Sequence, residues 1–189
     1  MDIVQKIQNI LLKPKETFVT LKEEKQDLMS LLTGYVVLLA ALPAIGSALG
    51  MIRFPSWAIR MAIVGYVTAL AVYFAGAFLL QVLSKNFGGN GDLAQAAKTI
   101  AYSMTAGCAA GIATFIPFSL GMLISLAGGI YSLYLLYLAL PVFMDVPQDK
   151  VVGLEVIFVV ALIIVGFAIT FLLSSIFAVG YYTSPLARY

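Results

Sequence analysis

The sequence predicts an all-α polytopic membrane protein. The expected architecture is a five-transmembrane-helix bundle with two short N-terminal amphipathic helices at the cytoplasmic interface, N-in and C-out. Three observations carry this. Of 189 residues, 62% are hydrophobic and only 11% charged, against about 25% charged in an ordinary soluble domain. Mean hydropathy is +1.02. The few charges are also segregated, with long uncharged stretches between them. A soluble chain of this size has too little interior to hide so much apolar surface, and a disordered chain would be poor in it.

The charges mark the borders of the spans. Leu28 to Ile52, Met61 to Ser84 and Val156 to Ala187 carry none, and each fits one crossing, which needs roughly 20 apolar residues. Thr99 to Met144 is also uncharged and long enough for two crossings. Ile116-Pro117-Phe118-Ser119 supplies a turn inside it, because proline lacks a donor and pushes its predecessor out of the helical region. The spacing predicts spans over 28–51, 57–83, 96–116, 119–143 and 154–181. Pro43 is expected to kink the first. The third starts earlier if Leu93 to Lys98 is helical, with Lys98 snorkelling to the headgroups. Met1 to Lys6 shows no cleavable signal peptide.

Orientation follows from lysine and arginine. With the N-terminus inside, the inner segments hold Lys6, Lys13, Lys15, Lys22, Lys25, Lys85, Lys98 and Lys150, and the outer segments only Arg53, Arg60 and Arg188. Trp57 and Tyr181-Tyr182 then fall at the outer interface, where amphipathic rings prefer to lie.

Residues 1–27 read as a cytoplasmic interfacial segment and 28–189 as the transmembrane domain. Ile3, Val4, Ile7, Ile10 and Leu11 follow helical spacing in a stretch too short to span, so the expected place is the interface plane, apolar face in lipid. Pro14 suits the first turn of a second helix, running to about Gln26. Five lysines and five acids cancel over this segment, which argues against a polybasic lipid anchor.

Composition removes most chemistry. There is no histidine and one cysteine, Cys108, so the usual zinc, copper, haem and iron–sulfur ligand sets are missing. Histidine-based acid–base and nucleophilic arrangements are missing too. No cofactor or metal is expected. A net charge of +2 without a basic stripe argues against nucleic acid. The loop Asn86 to Asp92 is glycine-rich but matches no phosphate-binding pattern. It reads as a flexible connection, with Asp92 capping the helix that follows. Asp145 and Asp149 read as solvated interface residues. No span core carries a charge, which argues against a pump built on buried carboxylates.

Neutral polar residues gather toward the inner half. Tyr35, Gln81, Tyr102, Ser103, Thr105, Tyr134 and Tyr137 form a candidate crevice open to the cytoplasm. The plain alternative is interhelical hydrogen bonding plus an aromatic belt. Gly46 and Gly50 form one GxxxG, and Gly107 and Gly111 another. Such faces let helices approach closely, within the bundle or, as a second reading, across a homodimer seam.

Three stretches carry a family resemblance. Leu12 to Leu21 contains Pro14, then Thr17-Phe18, then Leu21, and resembles the opening of Yip-family membrane proteins. Ala101-Tyr102-Ser103-Met104-Thr105 is similar to that family's Tyr-Ser-x-Thr-Pro segment, with Ala106 where proline is frequent. Ile130 to Leu140 is similar to its fourth span. The Asp-Leu-Tyr-Gly-Pro motif of eukaryotic members does not occur, nor does a long region before Pro14. The association of those members with prenylated Rab-type GTPases is therefore not carried over. The resemblance implies a compact prokaryotic-type member in a plasma membrane. It would be a non-enzymatic organiser of membrane lipids or of a membrane-protein partner. The alternative is a passive channel, transporter or lipid scramblase using the crevice.

Overall fold

The computed structural model describes residues 2–24, 26–116 and 118–182; the side chains of Phe118 and of residues 177–182 lie outside that description. The described residues are helical and joined by short links, with no strand among them. Helix α1 covers Ile3–Leu12 and α2 Pro14–Glu23. The first long segment begins with α3 (Leu28–Leu31), passes through a π-helical turn (Leu32–Val36) and continues as α4 (Val37–Gly50). Then come α5 (Pro55–Asn86), α6 (Leu93–Ser103), α7 (Thr105–Gly111), a 3-10 turn (Ile112–Phe115), α8 (Phe118–Phe143) and α9 (Gln148–Tyr182).

Local chemistry fixes the starts. The carboxylates of Asp2, Asp27 and Asp92 accept from the backbone N–H of Ile3, Ser30 and Ala94, each satisfying a donor that a helix N-terminus leaves open. Pro14 and Pro55 stand at first-turn positions of α2 and α5, where a missing N–H costs nothing.

Among the described residues, four helical segments are long and apolar enough to cross a bilayer: Leu28–Gly50, Pro55–Asn86, Ser119–Phe143 and Gln148–Ile176. The predicted third span is not one continuous helix. It is α6, α7 and the 3-10 turn in series, interrupted at Met104. The hydrogen-bond ladder nevertheless carries across, because Met104 donates to Ile100 and Cys108 to Met104 at 3.1 and 3.0 Å. Two glycines in the seven residues of α7 weaken it as a helix, and the chain tightens to 3-10 at its end. Pro43 lies inside α4. Helix α5 has 32 residues, about 48 Å at 1.5 Å per residue, so it overruns a hydrocarbon core of roughly 30 Å. Pro117, Lys25, Arg188 and the side chains of Tyr181 and Tyr182 lie outside the described residues.

The helices wear their apolar residues outward. Ile163, Ile164, Phe167, Phe171 and Leu172 on α9 are all exposed. A patch of that extent is foreign to a soluble monomer and suits contact with lipid. The buried core gathers at one end, where Tyr35, Tyr73, Tyr102, Leu135, Leu140 and Phe143 meet Ile10, Phe18 and Leu21 from the N-terminal helices. At the opposite end the helices meet through glycine. A Cβ on Gly46 would lie 2.6 Å from the Ile112 carbonyl oxygen, and one on Gly111 would lie 2.7 Å from Pro43 Cβ. Thus Gly46 of the first GxxxG and Gly111 of the second lie on facing parts of the same seam, inside one chain. Gly50 approaches the Thr114 carbonyl, and Gly107 approaches Ser132.

Candidate functional site

The site is the end of the bundle that carries α1 and α2. Its first component is the buried face of α2. Pro14, Thr17, Phe18 and Leu21 are all buried, at i, i+3, i+4 and i+7, the spacing of one helical stripe. The Thr17 hydroxyl donates to the carbonyls of Lys13 and Asn9 at 2.7 and 3.1 Å, tying α2 to the end of α1. The Phe18 ring packs on Phe143 of α8, centroids 5.5 Å apart. The apolar face of α1 is expected in lipid. Its Ile10, together with Phe18 and Leu21 of α2, instead packs on the protein core with no exposure, α2 lying against α8 and α1 against α7.

The second component holds α2 by its carbonyl end. Lys98 of α6 is 2% exposed. Its ammonium donates to the carbonyls of Lys22 and Glu24, at 2.8 and 2.5 Å. Carbonyls at a helix C-terminus have no partner within the helix and carry its negative partial charge, so an ammonium there is doubly favourable. The expectation that Lys98 snorkels outward is corrected: acceptors closer than the headgroups take it. Lys6 adds an ion pair to Glu24 at 2.8 Å. From α8, the Tyr131 hydroxyl donates to the Leu11 carbonyl at 2.8 Å.

The third component lies beneath. The π-helical turn carries Tyr35, whose hydroxyl is 2.8 Å from that of Thr105 and whose ring meets Tyr102 edge-on at 5.3 Å. The Tyr102 hydroxyl donates to the Gln26 amide oxygen at 2.9 Å, and Tyr73 donates to the Leu28 carbonyl at 3.1 Å. Phe18, Phe143, Tyr102 and Tyr35 therefore form a continuous file of rings. A cavity of about 270 Å³ remains above it, lined by Asp2, Lys6, Gln26, Gly34, Tyr35 and Tyr102 among others.

A side arm closes the rim. Asn90 donates to the Phe143 carbonyl and to the Asp145 carboxylate at 3.0 and 2.8 Å, and Lys22 bonds Asp145 at 2.6 Å. The loop expected to be a flexible connection is thus docked on the α8–α9 link. The Lys22 ammonium and then the Asn90 amide hold the Asp145 carboxyl below the ordinary carboxylate range.

Of the expected crevice, the structure brings together Tyr35, Tyr102 and Thr105. Ser103 is buried but lines a separate apolar groove of about 310 Å³ with Val72, Ser132, Phe158 and Leu162. Tyr134 is exposed and stacks on Tyr131 at 5.6 Å. Tyr137 is half-buried against the core, and Gln81 is half-buried on α5. Sequence reasoning missed Lys6, Glu24 and Gln26 as members. The signal for Glu24 and Gln26 was the polarity of the link after α2, placed before an apolar span; Lys6, on α1, gave none.

These features define an integral, multi-pass helical membrane protein whose N-terminal helices are built into one face of its bundle. The sequence pattern of the Yip1 domain matches residues 9–170, and the chain belongs to the Yip1 domain family. Comparison with curated proteins and with solved structures gives no match.

Proposed function

We propose that the protein is a non-enzymatic, non-conducting membrane organiser, offering a preformed face built from α1, α2 and the 86–92 and 144–149 links to a membrane or protein partner. The topology we assign is five spans, counting the α6–α7–3-10 run, with this face cytoplasmic and the C-terminus outside. Six lysines on or beside the face, Lys6, Lys13, Lys15, Lys22, Lys85 and Lys150, support that orientation.

One observation carries the reading: a file of four aromatic rings stands beneath the cavity, with the Tyr35 hydroxyl bonded to Thr105 and the Tyr102 hydroxyl to Gln26. A conduction path needs hydrated polar walls through the bilayer. Here the groove that reaches deeper is apolar.

The test is flux in sealed proteoliposomes, scoring ion leak and fluorescent-lipid flipping together. The expected result is vesicles as tight as protein-free ones, for wild type and Tyr102→Ala alike. Flux that Tyr102→Ala changes would overturn the reading and make this a channel or scramblase.

A further inference from the structure

We propose that the cavity between α1, the π-helical turn and α6 binds the headgroup of a phosphatidylethanolamine-type lipid from the adjacent leaflet. This deepens the organiser reading, and rests on it only in placing that face at the membrane surface.

The size and the opening come first. The cavity holds about 270 Å³, roughly nine waters at about 30 Å³ each, or one headgroup. Its wall on the first span is Ser30, Leu31, Gly34 and Tyr35. Gly34 and Ser30 are exposed, and a Cβ on Gly34 would meet nothing within 4 Å. The cavity therefore opens sideways, past a residue without a side chain. Farther along the same span Leu38 and Ile45 are exposed, so acyl chains leaving the opening would lie on apolar surface. A π-helical turn is rare and is frequently found at a functional site; here it supplies both Gly34 and Tyr35.

The chemistry selects the headgroup. Asp2 caps the start of α1 and Lys6 lies in its first turns, and both line the cavity. They present a carboxylate and an ammonium to one space. A phosphoethanolamine carries the complementary pair, a phosphate and a primary ammonium two carbons apart. Lys6 has three donors, and Glu24 takes one of them. Gln26 accepts from Tyr102 through its oxygen, which leaves the amide N–H groups to face a phosphate.

Two competitors fit worse. An anionic headgroup, having no ammonium, would leave the Asp2 carboxylate on the wall facing a like charge with no partner from the ligand. A choline headgroup cannot donate a hydrogen bond to Asp2. The aromatic face that would attract it is the Tyr102 ring, and Lys6 already sits 5.8 Å over that ring.

Native mass spectrometry of the full chain in detergent tests this, with phosphatidylethanolamine, phosphatidylglycerol and phosphatidylcholine of matched acyl chains. The expected result is one phosphatidylethanolamine bound at least tenfold tighter than either competitor. Gly34→Leu fills an open space without touching the core and should weaken that binding at least tenfold, with helicity and melting temperature unchanged. Asp2→Asn keeps a good helix cap and should erase the preference. Equal binding of the three lipids, or a preference that survives both variants, would overturn the proposal. So would displacement by soluble phosphoethanolamine at the concentration of the lipid, which would assign the site to a free solute. Vesicle flux is read separately: tight vesicles with no lipid preference reject the site and keep the organiser reading. Leaking vesicles with the preference do the reverse.

Discussion

The two ends of the bundle are held together by different physics. At the α1–α2 end, side chains reach across gaps to backbone carbonyls: Lys98 to Lys22 and Glu24, Tyr131 to Leu11, Tyr73 to Leu28. At the other end, α4 and the α7–3-10 run meet closely through glycine: Gly46 faces the Gly111 and Ile112 carbonyls and the Thr114 hydroxyl, and Gly111 faces Pro43. In lipid there is no hydrophobic drive between spans, so association rests on packing and interhelical hydrogen bonds. This chain adds long-range hydrogen bonds to its packing at the α1–α2 end, and relies on close glycine contacts at the other. The difference predicts where a substitution is global and where it is local. A methyl group in the glycine seam has nowhere to go. A lost donor at the polar end frees only the segment that it held.

Gly46→Ala should be the largest effect. The added carbon would stand 2.6–2.7 Å from two backbone carbonyls and the Thr114 hydroxyl, and overpacking costs about 1–3 kcal/mol, occasionally more, the upper end being expected where backbone must yield. The same change at Gly65, where a Cβ meets nothing within 4 Å, should leave the melting temperature unchanged or slightly raised, since alanine is the better helix former. Thermal denaturation in detergent compares the two; equal losses would break the distinction between seam and surface. Next comes Lys98→Met. Hydrogen bonds from a charged donor contribute about 1.5–3 kcal/mol, so on the order of 2–3 kcal/mol should vanish from the docking of α1 and α2, with α5 and α9 unaffected. Tyr131→Phe, removing one neutral donor to Leu11, should cost about 1 kcal/mol and loosen α1 alone.

The smallest effect is electrostatic. The Asp145 carboxyl is held below its ordinary value of 3.8, first by Lys22. A lowered carboxyl stabilises the folded form above its unfolded value, and the contribution fades as pH falls through the folded one. The Lys22–Asp145 contact should therefore contribute fully at neutral pH, begin to fade below the unfolded value of 3.8 and be lost as pH falls through the lower folded value. Exposed pairs are worth under about 1 kcal/mol. Denaturant midpoints at pH 7 and pH 3 should differ less for Asp145→Asn than for wild type. The same difference in both would show that the pair contributes nothing.

What was legible in the sequence follows the same division. Charge-free stretches located the long helices, because a bilayer imposes length directly, but not their wet ends: α9 begins at Gln148, six residues before the expected 154. The caps at Asp92 and the first-turn Pro14 were legible because their chemistry is local. The third span was misread as one helix, since a hydropathy pattern does not register Gly111 approaching Pro43 of α4 or Gly107 approaching Ser132 of α8. Ser103 was grouped with Tyr102 and Thr105, though one residue along a helix turns the side chain away from a pair spaced i, i+3. The tyrosine stripe divided likewise, Tyr131 to α1 and Tyr134 outward. Lys98 was the least legible. A lysine at the edge of an apolar run reads the same whether it snorkels or turns inward. Its acceptors lie 76 and 74 residues away in sequence.

The central claim is that α1 and α2 are a fixed part of the bundle, docked through Lys98. Amide hydrogen exchange on the protein in lipid nanodiscs, wild type against Lys98→Met, tests it most directly. The account predicts protected amides in α1 and α2 of the wild type, and faster exchange in the variant confined to those two helices. Unchanged exchange there would contradict it, because a segment held by lipid alone would not register the loss of Lys98.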